Sequence, residues 1–530
     1  MGKLPKLHLR RHKELDPKKD AAELSRGQII VLFAGALLLF MGIMGIAIDL
    51  SYLWVNEMRI QKAADAAALA GAVYLPNDTT GAHNAAVDYA TRNGYTVSGD
   101  IAITANRDAV NWTQMDVTIS AQIPTFFMQA FGVTTLTPSR TAHAQFQQPV
   151  PMGSPLNVFG VPTATDLDGN ALNFWAAIQG PCTKKENGDP YATKLTTATS
   201  NNCSSAGTAN GEYKGPQGGD PGAYDYAVKV TTAGSLKIEL YDPEWCPRSD
   251  MSTDTGDSVF DSQNTTEFDT TFRLYAPSDT PYDLTDDSLL STTTYPGDQS
   301  TTAGSTHSCS STYVTGSGGN YTGKWTTFAT VGASPGVYRL NIGTSAVGTF
   351  PGNGSNMFGI RATIGGGSAG VAVSAGVTGA QAAMSIFNNL AAGTSYIYLA
   401  KIDPTYAGKT MEVDLFDPGD LNGTGVMSFM EPVGSSYSAA TFSYRNSGTS
   451  LGTGGSTVSN VTSVTTASGG NSNFNGNWLV VTIKIPANYD GGTGSSASWW
   501  KIKYVISGGA AHDRTTWRVS IIDSPVHLVP

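Results

Sequence analysis

The chain has 530 residues, only 14% of them charged, and a formal net charge of −10. This length allows about three or four domains. The acidic balance argues against nucleic acid as a partner, and many Gly, Ser and Thr with few charges are typical of an exported all-β protein rather than a cytosolic α/β enzyme.

A basic tail precedes a long apolar run. Residues 1–27 contain eight Lys or Arg and four Asp or Glu, a local charge of +4, which leaves −14 for the rest of the chain. Residues 29–48 carry no charge, and a helix of that length spans about 30 Å, the thickness of a bilayer's hydrocarbon core. We predict a transmembrane helix over 28–54 in the plasma membrane, with tail 1–27 cytoplasmic and the ectodomain periplasmic or at the cell surface. The run is longer than the apolar region of a signal peptide.

The helical pattern continues past the membrane segment to Pro76. A stripe of mostly small residues recurs there at helical spacing, so another element can approach closely. Asp49 closes the apolar run, where it lies either at the outer membrane interface or against a partner helix. The predicted helix-docking residues are Asp49, Leu53, Ile60, Ala64, Asp65, Ala67, Gly71 and Tyr74.

The next 70 residues alternate between helix and strand signals. Residues 79–93 predict a second helix that ends at Gly94. Apolar and polar residues alternate over 115–123, which indicates a half-buried strand. Residues 124–131 (PTFFMQAF) predict one or two helical turns ended by Gly132, and 134–146 a further strand.

Several of these segments resemble the N-terminal region of the TadE/TadG-like Flp pilus-assembly proteins. They are Arg26-Gly27-Gln28, Ala47-Ile48-Asp49 and the block QKAADAAALAGA at 61–72. The resemblance covers about residues 26–147 and implies a pilin-like α+β module over 55–149. It also implies contact of the N-terminal helix with other pilus-assembly or pilin-like proteins. Leu32 departs from the Glu of processed pilins, and the DxSxS metal motif found in many family members is missing from the sequence.

Residues 155–365 and 380–530 share an ordered set of landmarks. Tyr241-Asp242-Pro243 corresponds to Phe416-Asp417-Pro418, and Trp325 to Trp478. Further pairs are 274–277 with 429–432, 338–340 with 500–504, and 358–361 with 517–520. The short alternating strands predict two tandem β-sandwich or jelly-roll domains, joined by a flexible link at 365–368.

The four cysteines lie in the predicted exported region and form no CxxC pair. They predict two disulfides among Cys182, Cys203, Cys246 and Cys309. Three connectivities are possible, and proximity along the chain favours Cys182–Cys203 with Cys246–Cys309. Four free buried thiols are the alternative.

No catalytic constellation emerges from the sequence, so we predict neither an enzyme nor a cofactor. The GxSxG match at 366–370 lacks a strand-to-helix turn, and His512-Asp513 would face opposite sides of a strand. Oxygen-rich loops make calcium the better possibility, although Asp and Asn also stabilise turns. The candidate calcium ligands are Asp166, Asp168, Asn170, Asp417, Asp420 and Asn422.

A surface glycan is a possible ligand of the β domains. Trp478, Trp499 and Trp500 could stack on sugars if a ring is exposed, and adjacency in a strand puts one of Trp499 and Trp500 outside. The sequence thus favours a non-enzymatic, membrane-anchored component of Flp/Tad pilus assembly whose β domains contact a surface or partner. The alternatives are a surface adhesin or polysaccharide-binding envelope protein unrelated to pili, and an exported hydrolase.

Overall fold

The structure is a computed structural model, and its described residues form two compact units. Unit 1 comprises residues 1–146 with 526–530, and unit 2 comprises 147–525. The described residues are 17–75, 78–109, 113–146, 150–160, 174–181, 183–191, 224–245, 257, 268–278, 287–297, 324–346, 354–365, 371–375, 383–390, 392–451, 454–522 and 526–529.

Unit 1 is built on one long helix, α1, Pro17–Ala72. From Ile29 onward it is the one helix, among those described, long and apolar enough to cross a membrane. The predicted continuity of the membrane segment with the following helix is confirmed. The second helix, α2, is Thr79–Arg92. It begins where Asp78 accepts a hydrogen bond from the N–H of Gly81 (2.6 Å), and it ends before Gly94, whose φ of +92° suits glycine.

The strands follow in chain order. Those up to residue 241 are β1 Ile101–Arg107, β2 Gln114–Ala121, β3 Ile123–Pro124, β4 Thr135–Leu136, β5 Ser139–Phe146, β6 Met152–Gly153, β7 Val158–Phe159, β8 Phe174–Gln179, β9 Tyr224–Val230 and β10 Gly234–Tyr241. The next are β11 Phe268–Tyr275, β12 Leu289–Tyr295, β13 Trp325–Ala333, β14 Gly336–Ala346, β15 Ser355–Ile364, β16 Val371–Ala375, β17 Met384–Leu390, β18 Gly393–Lys401, β19 Thr410–Phe416 and β20 Thr424–Val433. The last are β21 Ser436–Ala439, β22 Phe442–Asn446, β23 Val458–Val461, β24 Val464–Ser468, β25 Asn471–Ser472, β26 Trp478–Lys484, β27 Trp499–Ser507, β28 Ala511–Ile521 and β29 Val526–Val529.

The sheet of unit 1 is antiparallel, in the order β1-β2-β5-β29. In β2 the burial alternates residue by residue, and Met115, Val117 and Ile119 are fully buried in one core with alanines of α1 and α2. The alternation predicted over this strand is therefore confirmed. The predicted turn is also confirmed, as a 3₁₀ helix at Met128–Phe131 that ends at Gly132 with φ of +85°.

The last described strand is placed differently from our expectation. The sequence predicts that residues 526–529 belong to the second β domain, but β29 pairs with β5 in unit 1, with Val526 opposite Phe146. The physical reason is the open edge of β5, whose backbone groups β29 satisfies. Unit 2 is thus inserted between two neighbouring strands of unit 1.

The described strands of unit 2 form two large antiparallel sheets. The first has the order β13-β10-β15-β8-β17-β28-β19-β26-β22-β23, with β7 on β15, and the second β12-β11-β14-β9-β16-β6-β18-β27-β20-β24-β25, with β21 on β20. The sheets face each other across one core, where the ring of Phe272 on β11 lies 5.3 Å from that of Phe358 on β15. The predicted fold class, a long apolar helix with a small α+β module followed by a large all-β region, is confirmed.

The landmarks shared by the two halves occupy equivalent places in these sheets. β10 lies between β13 and β15, as β19 lies between β26 and β28. In the other sheet β11 pairs with β14 as β20 pairs with β27. Asp242 and Asp417, which precede the equivalent prolines, are both fully buried with φ of +50° and +59°, a conformation that few residues other than Gly adopt. This unusual backbone conformation at equivalent positions supports the internal repeat predicted from the sequence.

The two halves meet through equivalent strands. β8 extends the sheet beyond β15, β17 extends it beyond β28, and β8 pairs antiparallel with β17. Antiparallel pairing of equivalent strands is what an approximate twofold axis produces. Because both sheets continue from one half into the other, the division into domains at 155–365 and 380–530 stays a prediction; residues 366–368 of the expected link lie outside the described part.

We expect Ala64→Leu to destabilise unit 1 by about 1–3 kcal/mol, because a larger side chain overpacks the fully buried contact of α1. The measurement is the thermal unfolding midpoint of the full chain in detergent micelles. The matched control is Ala66→Leu, because Ala66 lies on another, partly exposed face of the same helix. Equal midpoints for the two variants would contradict the packing described here.

Candidate functional site

Asp49 joins the end of the apolar run to a loop far away in sequence. Its carboxylate is buried and accepts three backbone hydrogen bonds, from the N–H groups of Phe126 (2.9 Å), Phe127 (2.9 Å) and Met128 (2.7 Å). We name residues 124–133, which contain these donors, the aromatic loop. Three aligned donors suit an ionised carboxylate, since an anion with such partners needs no water. Asp49 therefore binds a loop of its own chain.

The aromatic loop covers one face of α1. Gly42 is half-buried, and Gly45 and Asp49 are buried, at helical spacing, within a segment whose other residues are almost all exposed. A Cβ on Gly45 would lie 2.8 Å from Cγ and Cδ1 of Phe127, so only glycine allows this approach. The ring of Phe126 packs edge-on against Tyr52, with centroids 5.2 Å apart. The contact between α1 and the aromatic loop therefore depends on both Gly45 and Asp49.

The predicted small-residue stripe is used within unit 1. Ile60, Ala64, Ala67 and Gly71 are buried in the core shared with α2 and the sheet. A Cβ on Gly71 would lie 2.9 Å from the carbonyl oxygen of Ala82 on α2 and from Cγ of Met115 on β2. Small side chains thus bring α1 close to its own sheet. Leu53 and Asp65 are half-buried and Tyr74 is exposed, and docking of the stripe on other proteins stays a prediction.

Polar residues beside the stripe fix the position of α1 on β5. Gln61 Nε2 donates to Oδ1 of Asp65 (2.8 Å) and to the carbonyl oxygen of Thr141 (3.2 Å). Glu57 forms an ion pair with Arg140 on β5. Gln61 and Asp65 of the QKAAD block therefore act in packing between helix and sheet.

In unit 2, four aspartates, Asp257, Asp417, Asp420 and Asp513, lie near the buried side chain of Arg514, and the pKa of Asp513 is raised almost to neutrality. Asp513 Oδ2 accepts hydrogen bonds from the N–H of Gly419 (2.9 Å) and the hydroxyl of Tyr504 (3.1 Å). Burial, with the nearby carboxylate of Asp420, raises the pKa of Asp513 to about 7. Burial also lowers the pKa of Arg514 to about 10, against the attraction of the surrounding carboxylates. These groups form a buried acidic cluster rather than an open site.

The calcium candidates divide between described and undescribed residues. Asp417 is fully buried, and its Oδ1 accepts the N–H of Gly476 (2.7 Å), while Asn422 is exposed. Among the described residues, no three His, Cys, Asp or Glu side chains form a group that could hold a metal ion. Asp166, Asp168 and Asn170 lie outside the described residues, as do the four cysteines, Cys182, Cys203, Cys246 and Cys309. Calcium binding and both disulfides stay predictions.

The tryptophans suggested for glycan stacking are all buried. Trp500 lies in the core and donates from Nε1 to the hydroxyl of Tyr489 (3.1 Å). Trp499 packs edge-on against Tyr398 on the other side of the strand, and Trp478 against Phe416. The prediction that one of Trp499 and Trp500 is exposed is wrong, because aromatic neighbours cover the outer face of this strand too. A glycan ligand elsewhere stays a prediction.

Comparison with protein families supports the resemblance for the membrane-proximal helix. Residues 27–73 match the family model described as putative Flp pilus-assembly TadE/G-like. The match covers most of α1, including Gly45, Asp49 and the small-residue stripe. Searches of curated proteins and of solved structures find no match for this chain. The resemblance is therefore confirmed for α1, and its extension to residue 147 stays a prediction.

We expect Asp49→Asn to loosen the aromatic loop, because the amide loses both the charge and one of the two acceptor oxygens. Hydrogen bonds to a charged group contribute about 1.5–3 kcal/mol each. The measurement is amide hydrogen exchange by mass spectrometry of peptides covering 124–133, which should speed up. Asp65→Asn, a carboxylate change on the same helix, should leave this exchange unaltered. Unchanged exchange in Asp49→Asn would show that the carboxylate does not hold the loop.

The acidic cluster predicts that unit 2 becomes more stable as the pH falls. The folded-state pKa of Asp513, about 7, lies above its ordinary value of 3.8, so the folded chain holds an extra proton between these values. The stability that this proton adds to unit 2 is complete below about pH 4 and is lost as the pH rises through 7. It amounts to about 1.4 kcal/mol for each unit by which folding raises the pKa.

The test is the urea unfolding midpoint of unit 2 in the full chain, followed from pH 5 to pH 8. Asp513→Asn should flatten the fall of the midpoint with rising pH, because the amide does not titrate. Asp490→Asn, at an exposed loop position, is the control and should retain the parental slope. A parental slope in Asp513→Asn would mean that another group carries the pH dependence.

Proposed function

We propose that this protein is a non-enzymatic, membrane-anchored component of Flp/Tad-type pilus assembly. The observation that carries the proposal is the family match of residues 27–73, which falls on one uninterrupted helix. Residues 29–48 of that helix are apolar and almost all exposed, as a membrane span requires, and residues 60–72 contribute to the core of unit 1. Anchoring and assembly thus involve the same element.

The charge of the tail supports an orientation. Eight basic against four acidic residues precede the span, and a positive flank stays in the cytoplasm. The part of unit 1 that follows the span, together with unit 2, then lies on the periplasmic or outer side. Trp54 follows the span with 62% of its surface exposed, as expected for an aromatic ring at the outer interface.

Contact with other pilus-assembly or pilin-like helices would use a face of α1 that unit 1 leaves open. The buried stripe packs on the chain's own sheet, whereas Leu50, Trp54 and Met58 are exposed at a spacing of four residues. Three apolar side chains in one row just beyond the span suit a helix that approaches from the side. Unit 2, with its large exposed surface, would contact a surface or a partner protein.

The topology gives a direct test in cells that lack the gene. Because Phe146 lies opposite Val526, residues 147–525 can be replaced by an Asn-Gly turn that closes β5 and β29 into a hairpin. We expect this short variant to restore surface filaments, counted by negative-stain microscopy, but not attachment of cells. Full-length complementation should restore both.

A matched pair of variants in the full chain separates assembly from anchoring. Trp54→Ala with Met58→Ala should lower the filament count without loss of the protein from the membrane fraction. Val433→Ala, at an exposed apolar position of unit 2, should have no effect on filaments. Unchanged filaments on deletion of the gene, with poor attachment, would overturn the pilus role and favour an adhesin or polysaccharide-binding protein.

A further inference from the structure

The aromatic loop exposes a group of rings beside the membrane segment. Phe126, Phe127 and Phe131 are 51%, 48% and 72% exposed, although each is a large apolar side chain. The sequence from Val117 to Ser139 around them contains no charged residue. Exposed apolar groups of this kind mark a contact surface rather than an ordinary loop in water.

The level of the loop along α1 identifies what covers it. Phe127 packs on Gly45. Gly45 precedes Asp49 by four residues and therefore lies about 6 Å inside the end of the apolar run, which Asp49 closes. At the same level the exposed side chains of α1 are Met41, Met44 and Ile48. Phe127 therefore lies at the level of the apolar span, and Phe126, which packs on Tyr52, lies at its outer end.

The backbone of the loop is also prepared for an environment without water. The carboxylate of Asp49 takes the N–H groups of three consecutive residues, 126–128. The backbone N–H of Thr125 donates to the carbonyl oxygen of Thr134. The N–H groups of residues 130, 132 and 133 donate to carbonyl oxygens within the loop. Irregular backbone is tolerated at membrane depth only when its polar groups have such partners.

We infer that the aromatic loop is a second membrane contact, which inserts Phe126, Phe127 and Phe131 among the lipids of the outer-side leaflet. Asp49 is the positioning residue, because it holds the loop on α1 at a fixed depth. The partner is the acyl-chain region of the bilayer, and the inference rests on the membrane anchoring in the proposed function. Two contacts, the span and the loop, then fix how unit 1 is oriented on the membrane, whereas a single helix would leave it free to tilt.

The test is photocrosslinking of the full chain in native membranes, with p-benzoylphenylalanine placed at one position at a time. Phe131 is the test position because it is the most exposed ring of the loop. Leu38, exposed in the middle of the span, reports on anchoring, and Tyr89, exposed on α2, is the control away from the loop. Adducts are identified by mass spectrometry as phospholipid or protein.

We expect lipid adducts at Leu38 and Phe131, with the yield at Phe131 about tenfold or more above that at Tyr89, since apolar rings partition strongly into acyl chains. Protein adducts alone at Phe131, with lipid at Leu38, would overturn the inference and show that a partner protein covers the loop. Equal lipid yields at Phe131 and Tyr89 would overturn it as well. Absence of lipid at Leu38 would overturn the membrane anchor itself, and the inference with it.

Discussion

The structure of unit 1 depends on one buried carboxylate. Asp49 satisfies three backbone N–H groups of the aromatic loop at the point where α1 changes from an apolar span into a core helix. If this contact were broken, the three N–H groups would lose their acceptor and the charge of Asp49 would lie unpaired against apolar side chains, and both are costly. The glycine at position 45 is explained by the same contact, since it leaves room for the ring of Phe127. A motif on a membrane helix thereby organises a segment more than seventy residues away.

Unit 2 follows a different principle, the pairing of two similar halves. Equivalent strands, equivalent aspartates with positive φ and the central pairing of β8 with β17 all agree with an approximate twofold axis. Joining the halves in this way removes one edge strand from each half, and so reduces the backbone exposed to other chains. We expect the buried aspartates around Arg514 to make the stability of unit 2 sensitive to pH.

Features determined by local pattern could be predicted from the sequence, and long-range contacts could not. The uncharged run and the absence of proline predict α1, and the alternation at 115–121 predicts β2, because helix and strand periodicities act over a few residues. The partner of Asp49 was missed since nothing in its neighbourhood identifies residues 126–128, although the uncharged aromatic sequence there was a usable signal. The pairing of β29 with β5 joins residues almost 400 positions apart. Trp499 was misjudged because alternation along a strand does not reveal that both faces are covered.

The insertion of unit 2 between β5 and β29 has a mechanical consequence. Its two connections leave unit 1 at the same end of one antiparallel pair, where Phe146 lies opposite Val526. A force on unit 2 directed along these strands would draw both of them in one direction and load the hydrogen bonds between β5 and β2 in shear, so that many must break together. Since β5 also packs on α1, such a force would be carried through this ladder to α1. The two connections at Phe146 and Val526 would then share the load between them.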